Sequence, residues 1–201
     1  MQWKESSNQS GWKNPETGNW PAVCIRIIDV GTHEAEYEGR KKQLRKSMIV
    51  WELPGQLDDE GKPMVISNTY TASLGDKAKL RAHLESWRGR PFTPEELQGF
   101  DAKNILRKPC LLNLIEVQGQ KGPKVVVTSV SAIPKGMPAP SAPVNDSYLY
   151  SIEEHDPAVW DKLSDGIKAW IGRSLEHQSG AVSAPQSQPA APSYSADEIP
   201  F

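Results

Sequence analysis

Apolar residues in the first two thirds of the chain form short β-type runs on either side of a helical stretch. Strands are predicted where β-branched and aromatic residues cluster between turn-forming segments. A loop of hairpin size, Gln118–Pro123, separates the last two runs. The predicted strands are Trp20–Val30, Arg40–Leu53, Lys62–Ala72, Lys108–Val117 and Lys124–Ile133.

Between the third and fourth strands the apolar spacing changes to that of a helix. Leu80, Leu84 and Trp87 are four and three residues apart, which places them on one helical face after a candidate N-cap, Asp76. The run Thr93-Pro94-Glu95-Glu96 has the form of a capping box with proline at the first helical position. It predicts a second short helix over Pro94–Gly99.

The remaining segments are predicted from composition. Residues 1–19 are polar, with Trp3 and Trp12 among Ser, Asn and Gln, and predict a flexible N-terminal arm. Residues 134–156 are rich in proline and predict a linker. Residues 157–177 predict one amphipathic helix (Ala158–Glu176), which packs on the chain's own sheet or on a second copy in a homo-oligomer. Its apolar stripe is Trp160, Leu163, Ile167, Trp170, Ile171 and Leu175.

The order of three strands, a helix and two strands is that of the five-stranded OB-fold barrel, which commonly binds single-stranded nucleic acid or sugars. The predicted fold class is therefore mainly β, with a barrel over residues 20–133 and an additional C-terminal amphipathic helix. A small sandwich or an SH3-like barrel accommodates the same strands and stays open as an alternative.

Charge is distributed unevenly along the chain. The net charge of −2 divides into +3 over residues 1–150 and −5 over residues 151–201. No apolar leader and no membrane-length apolar run occurs, so we expect a cytoplasmic protein. Cys24 and Cys110 lie in apolar runs and are interpreted as reduced core thiols in preference to a disulfide or metal ligands.

The second strand combines cations with an aromatic residue, as a surface for single-stranded DNA requires. Cations bind the phosphates and aromatic rings stack on bases of any sequence. Trp51 and, on the third strand, Tyr70 are the predicted stacking residues. The alternative is an edge strand that carries lysines against aggregation. The predicted DNA-binding cations are Arg26, Lys41, Lys42, Arg45, Lys46, Lys62, Lys121 and Lys124.

An enzyme is not predicted, and neither catalytic residues, a metal nor a cofactor is assigned. The four histidines are scattered and no phosphate loop or nucleophile elbow occurs. The nearest catalytic pattern is Glu116-Val117-Gln118, which resembles a strand of metal-dependent nucleases in which an acid and a lysine flank one apolar residue. Here Gln118 stands in place of the lysine, and Asp101 upstream is the candidate second metal carboxylate. It leaves a metal-dependent nuclease as an alternative.

The C-terminus combines an uncharged stretch with an acidic and apolar end. Residues 178–201 predict a disordered tail whose last five residues bind a partner protein. Carboxylates would meet a basic rim while the apolar side chains fill a pocket. The predicted partner-binding residues are Asp197, Glu198, Ile199, Pro200 and Phe201.

These last five residues resemble the acidic tip of bacterial and phage single-stranded DNA-binding proteins. Two internal motifs, Val50–Pro54 and Trp87–Thr93, resemble a group of phage-encoded proteins of recombination and replication modules. The resemblance implies an OB fold, binding of single strands without sequence preference, and a tip that recruits replication, recombination and repair proteins. The tip departs from the family in having only two acids, and the helix after the barrel is not part of the bacterial pattern. For a phage-encoded protein the resemblance implies the host-cell cytoplasm, and it makes the nuclease alternative one of a phage recombination module. An adaptor that uses the tip but binds no DNA is a further alternative.

Overall fold

The computed structural model describes residues 13–37, 40–120 and 122–178. The protein is mainly β, with a six-stranded sheet and few helices. The strands are β1 (Gly18–Tyr37), β2 (Arg40–Leu57), β3 (Pro63–Thr71), β4 (Pro109–Gly119), β5 (Gly122–Ser131) and β6 (Tyr148–Tyr150). Strands are present at all five predicted places, but β1 continues to Tyr37 and β2 to Leu57, beyond the predicted ends at Val30 and Leu53. The sixth strand was not predicted.

Hydrogen bonding follows the order β3-β2-β1-β4-β5, in which all neighbours are antiparallel. β6 is added to β1 in parallel, beside Arg26–Ile28. β3 and β5 therefore stand at the two ends of the path. The helix α1 (Lys79–Arg88) contacts both of these strands.

Both predicted helices between β3 and β4 are present. α2 (Pro94–Gln98) begins with the predicted capping box, because Thr93 accepts from the Glu96 backbone while the Glu96 side chain accepts from the Thr93 backbone. In α1 the N-cap is Ala78 and not Asp76, whose carboxylate instead pairs with Arg81 at 2.6 Å. A 3-10 helix (Ala102–Ile105) follows α2.

Each face of the sheet packs against an apolar cluster over part of its area. An inner cluster joins the strands to α1 and to the segment 92–106 that follows α1 in the chain. Among its members are Trp51, Tyr70, Leu84, Trp87 and both cysteines. An outer cluster joins the opposite face of β1 and β2 to the C-terminal segment, with Val50, Tyr150, Leu163 and Ile171 among its members. This explains the nearly continuous apolar run Val23–Ile28, since a strand buried on both faces has no polar side.

The predicted single helix after residue 157 is wrong. Three short helices stand in its place, α3 (Pro157–Asp161), α4 (Asp165–Ile171) and α5 (Leu175–Gln178). Ser164 has extended backbone angles before α4, and Ser174 Oγ accepts the His177 N–H in the first turn of α5. Of the two alternatives left open for the apolar stripe, the structure has most of it against the chain's own sheet, with Trp160 and Trp170 at the edge of the outer cluster.

Two predicted boundaries also need correction. The proposed linker over 134–156 contains β6, and Tyr150 and Ile152 are buried. The proposed arm is anchored from its thirteenth residue onward: Glu16 exchanges hydrogen bonds of 2.6 and 3.2 Å with the side chain of Gln56. Trp3, Trp12 and the tail beyond Gln178 lie outside the described residues.

Candidate nucleic-acid interface

The hairpin formed by β1 and β2 extends beyond the rest of the sheet. The last β3 pair joins Thr71 to Lys46, whereas β1 and β2 stay paired from Gly31 with Lys46 to Tyr37 with Arg40. We call residues 31–37 and 40–46 the ribbon. Four of the eight cations predicted to bind DNA lie on it: Lys41, Lys42, Arg45 and Lys46.

The register of the ribbon separates its residues into two rows, because directly opposite residues share a face and successive pairs alternate. One row, here the lysine row, contains the pairs Gly31–Lys46, His33–Leu44 and Ala35–Lys42. The other, here the mixed row, contains the pairs Thr32–Arg45, Glu34–Gln43 and Glu36–Lys41. The carboxylates of these six pairs all lie in the mixed row.

Cations of the mixed row are paired with acids. Lys41 Nζ is 3.8 Å from the Glu34 carboxylate. Arg45 forms ion pairs of 2.6 Å with both Asp29 and Glu153, and the hydrogen bond to Asp29 is the main cause of its raised pKa. Much of the positive charge of this row is therefore balanced by the protein itself.

The lysine row continues onto the outer face of β3. Lys46 Nζ donates to the hydroxyl of Thr71 at 2.9 Å, a neutral partner that leaves the ammonium charge uncompensated by that contact. On the same face of β3 follow Thr69 and Ser67, both exposed. We call Ser67, Thr69 and Thr71 the hydroxyl row. Ammonium and hydroxyl donors in line are groups that bind phosphate oxygens.

Both predicted stacking residues are core side chains, which corrects that prediction. Trp51 is 0% exposed and packs against Trp87 with ring centroids 6.3 Å apart. Tyr70 is 3% exposed, its hydroxyl is 2.9 Å from His83 Nδ1, and burial raises its pKa to about 12. Neither ring presents a face to a base, because alternation directs both side chains into the inner cluster.

The other predicted cations are not gathered beside the ribbon. The Arg26 guanidinium lies 5.3 Å from the Tyr148 ring centroid and its Nε donates to the Asp146 carbonyl. Lys62 precedes β3, at the end remote from Lys46, and is 2.8 Å from Glu60. Lys124 is exposed on β5, at the other end of the sheet order. Lys121 and the tip residues Asp197, Glu198, Ile199, Pro200 and Phe201 lie outside the described residues.

Asp101 and Glu116, the two carboxylates of the nuclease alternative, lie in different elements of the structure. Asp101 caps the 3-10 helix by accepting the Lys103 N–H at 2.8 Å, and Glu116 is exposed on β4. Within the described part of the chain, no group of three His, Cys, Asp or Glu side chains is placed to hold a metal ion. Cys24 and Cys110 are buried free thiols, and burial raises the pKa of both.

Sequence reasoning missed the acids that attach the C-terminal segment to the sheet. Glu52 is fully buried and accepts the backbone N–H groups of Val144 and Asn145 and the Asn145 side-chain amide, at 2.7 to 3.1 Å. Its signal is a lone acid inside the apolar run Ile49–Leu53. Asp29 and Glu153 bind Arg45, and no local sequence pattern indicates that pairing.

No model of a known protein family matches this chain, and no curated protein is significantly similar to it. Among the helices described, none has the length and apolar character needed to cross a membrane.

Proposed function

We propose that this protein binds single-stranded DNA without sequence specificity during phage DNA replication and recombination. The observation that carries the proposal is the continuity of the lysine row with the hydroxyl row on the outer face of β2 and β3. Contacts to phosphates position a strand but carry no sequence information, so such a surface accepts any sequence.

The strand order supports a binding surface at this place. β1 to β5 and the helix between β3 and β4 follow the chain order of an OB-fold barrel. We propose that fold, in which the face of strands 2 and 3 is a common nucleic-acid site. In this chain the outer cluster covers part of that face, including Val50. The open remainder is the side toward β3 and the ribbon.

The proposed contact relies on charge more than on stacking. The large apolar side chains exposed in the described residues are Leu57, Ile115, Met137 and Val144, and none is aromatic. Affinity carried by phosphates falls with salt by about 0.7 logarithmic units per contact for each tenfold increase in salt. A salt series therefore counts the contacts directly.

The test compares two double variants that remove the same charge. Lys42→Gln/Lys46→Gln removes two lysines of the lysine row, whereas Lys41→Gln/Lys62→Gln removes one lysine of the mixed row and one lysine that precedes β3. We expect weaker binding of labelled oligo(dT), and a salt slope smaller by about 1.4, in the first variant only. The measurement is fluorescence anisotropy from 50 to 300 mM salt, with duplex of equal length for comparison.

Two results would overturn the proposal. One is equal losses in both double variants, since this would show a response to net charge and not to the lysine row. The other is absence of oligonucleotide binding by the unaltered chain, which favours the adaptor that binds no DNA. We further propose that Asp197–Phe201 capture a replication or recombination protein, a role supported by the sequence of the tip.

A further inference from the structure

The ribbon leaves the sheet at an irregular point of β1. The register with β2 shifts between Asp29 and Gly31, so one residue of β1 is left without a partner. Such a bulge bends a strand and increases its twist. Gly31 has a φ of +82°, and a Cβ built on it would lie 2.4 Å from Cβ of Ser174. The direction of the ribbon is therefore determined at this bulge.

Asp29 and Arg45 join the two strands at the bulge. Arg45 Nη2 donates to Asp29 Oδ2 at 2.6 Å, and Arg45 Nε donates to Asp29 Oδ1 at 3.2 Å. Asp29 Oδ1 also accepts the Gly31 N–H at 3.1 Å. One carboxylate thus binds the irregular backbone of β1 and, through a two-point contact, the facing strand β2.

The C-terminal segment is bound at the same place. Arg45 Nη1 donates to Glu153 at 2.6 Å. The Glu176 carboxylate accepts the Thr32 N–H at 2.8 Å and the Thr32 hydroxyl at 2.6 Å. The bulge is thereby enclosed by β1, β2 and the segment that forms the outer cluster.

We infer that Asp29 and Arg45 are positioning residues that hold the ribbon at a constant angle to the sheet, so that the lysine row stays in line with the hydroxyl row. The inference rests on the proposed function. We call the two-point contact between Asp29 and Arg45 the brace, and this role replaces the predicted contact of Arg45 with a phosphate. The Asp29 side chain is 15% exposed and the Arg45 side chain is 36% exposed. The planar guanidinium of Arg45 binds the carboxylates of Asp29 and Glu153 on two sides.

Replacing the guanidinium of Arg45 by an ammonium group distinguishes the brace from a contact with phosphate. Arg45→Lys keeps the charge and can still meet a phosphate, but it cannot reproduce the two-point contact with Asp29. The brace predicts about tenfold weaker oligo(dT) binding in this variant, because charge-assisted hydrogen bonds of this kind are lost. Retained affinity in Arg45→Lys would overturn the inference.

For Asp29→Asn, the brace and a phosphate contact of Arg45 predict opposite changes in the affinity for oligo(dT). If Arg45 contacted a phosphate, Asp29→Asn would free the guanidinium and remove a negative charge, and binding would tighten. The brace predicts weaker binding. Glu34→Gln is the matched control, since it removes one ribbon carboxylate without touching the brace, and we expect equal or slightly tighter binding.

Hydrogen exchange of the free protein tests the brace without DNA. We expect amides of residues 31–36 and 41–46 to exchange at least several-fold faster in Asp29→Asn and Arg45→Lys, with β4 amides unchanged. Unchanged ribbon exchange would overturn the inference. If the unaltered chain binds no oligonucleotide but ribbon exchange rises in both variants, the proposed function fails while the brace stands.

Discussion

Glu96 shows how a local motif acquires a further role from tertiary contacts. Its side chain completes the capping box with Thr93, which the sequence alone predicts. The fold adds Arg90 and Arg88, both of which donate to the same carboxylate. Arg90, the Thr93 backbone N–H and Arg88 together lower the pKa of Glu96 to about 2.

This shift predicts a pH-dependent effect of Glu96→Gln. Because the pKa is lower in the folded state than in the unfolded state, the ionised carboxylate stabilises the fold above its ordinary pKa of about 4.5 and ceases to do so as the pH falls toward 2. Glutamine still accepts the capping hydrogen bond, so the variant isolates the charge. We expect urea unfolding to show lower stability than the unaltered chain at pH 7, and a difference that shrinks between pH 5 and pH 2.

The control for this measurement is Glu116→Gln, an equal change of charge at an exposed position of β4. We expect it to leave stability nearly unchanged at pH 7. A difference between the unaltered chain and Glu96→Gln that stays constant from pH 7 to pH 2 would contradict the prediction.

The C-terminal segment is the structural element for which sequence and structure differ most. Amphipathic spacing correctly identified residues that pack, such as Leu163 and Ile171. It could not identify the breaks, since Ser164 and Gly172 are compatible with a longer helix and the surface of the sheet determines where the chain turns. β6 was missed because three residues are too few for a periodic signal, and its register is provided by β1.

Glu52 is expected to hold this segment in place. In Glu52→Gln one acceptor oxygen becomes an amide donor that faces the N–H groups of Val144 and Asn145. A buried donor without a partner costs on the order of 1 to 3 kcal/mol. We expect a loss of this size in urea unfolding and faster hydrogen exchange across β6. Glu60→Gln, at an exposed turn, is the control, and β6 exchange no faster than in that control would contradict the assignment.

For the whole molecule, the distribution of charge carries more information than its sum. The net charge of −2 combines a mildly basic body with an acidic C-terminal part. Within the body, the register separates charges again: among the six ribbon pairs, the carboxylates of Glu34 and Glu36 lie in the mixed row, while Lys42 and Lys46 lie in the lysine row. A chain that is nearly neutral in total can therefore present a locally basic surface.

Deleting residues 195–201 tests the role of the tip. Under the proposed function, the carboxylates of Asp197 and Glu198 would compete with phosphates for the same cations, and such competition is screened at high ionic strength. We expect tighter oligo(dT) binding at 20 mM salt, little change at 300 mM, and loss of partner capture. Asp197→Asn/Glu198→Gln separates charge from length. Unchanged binding at low salt together with unchanged capture would contradict both roles of the tip.

Local patterns in the sequence determined the strands, the two helices before β4 and the capping box, because these depend on neighbouring residues and on periodicity. They also identified Trp87 as a packing residue from its helical spacing. Only the tertiary structure decided that Trp51 and Tyr70 are buried. Alternation assigns each residue to one face of its strand, but it does not show which face α1 will cover. Likewise, the pairing of Arg45 with Asp29 and Glu153 required the register and the returning C-terminal segment, which bring together groups 16 and 108 residues apart.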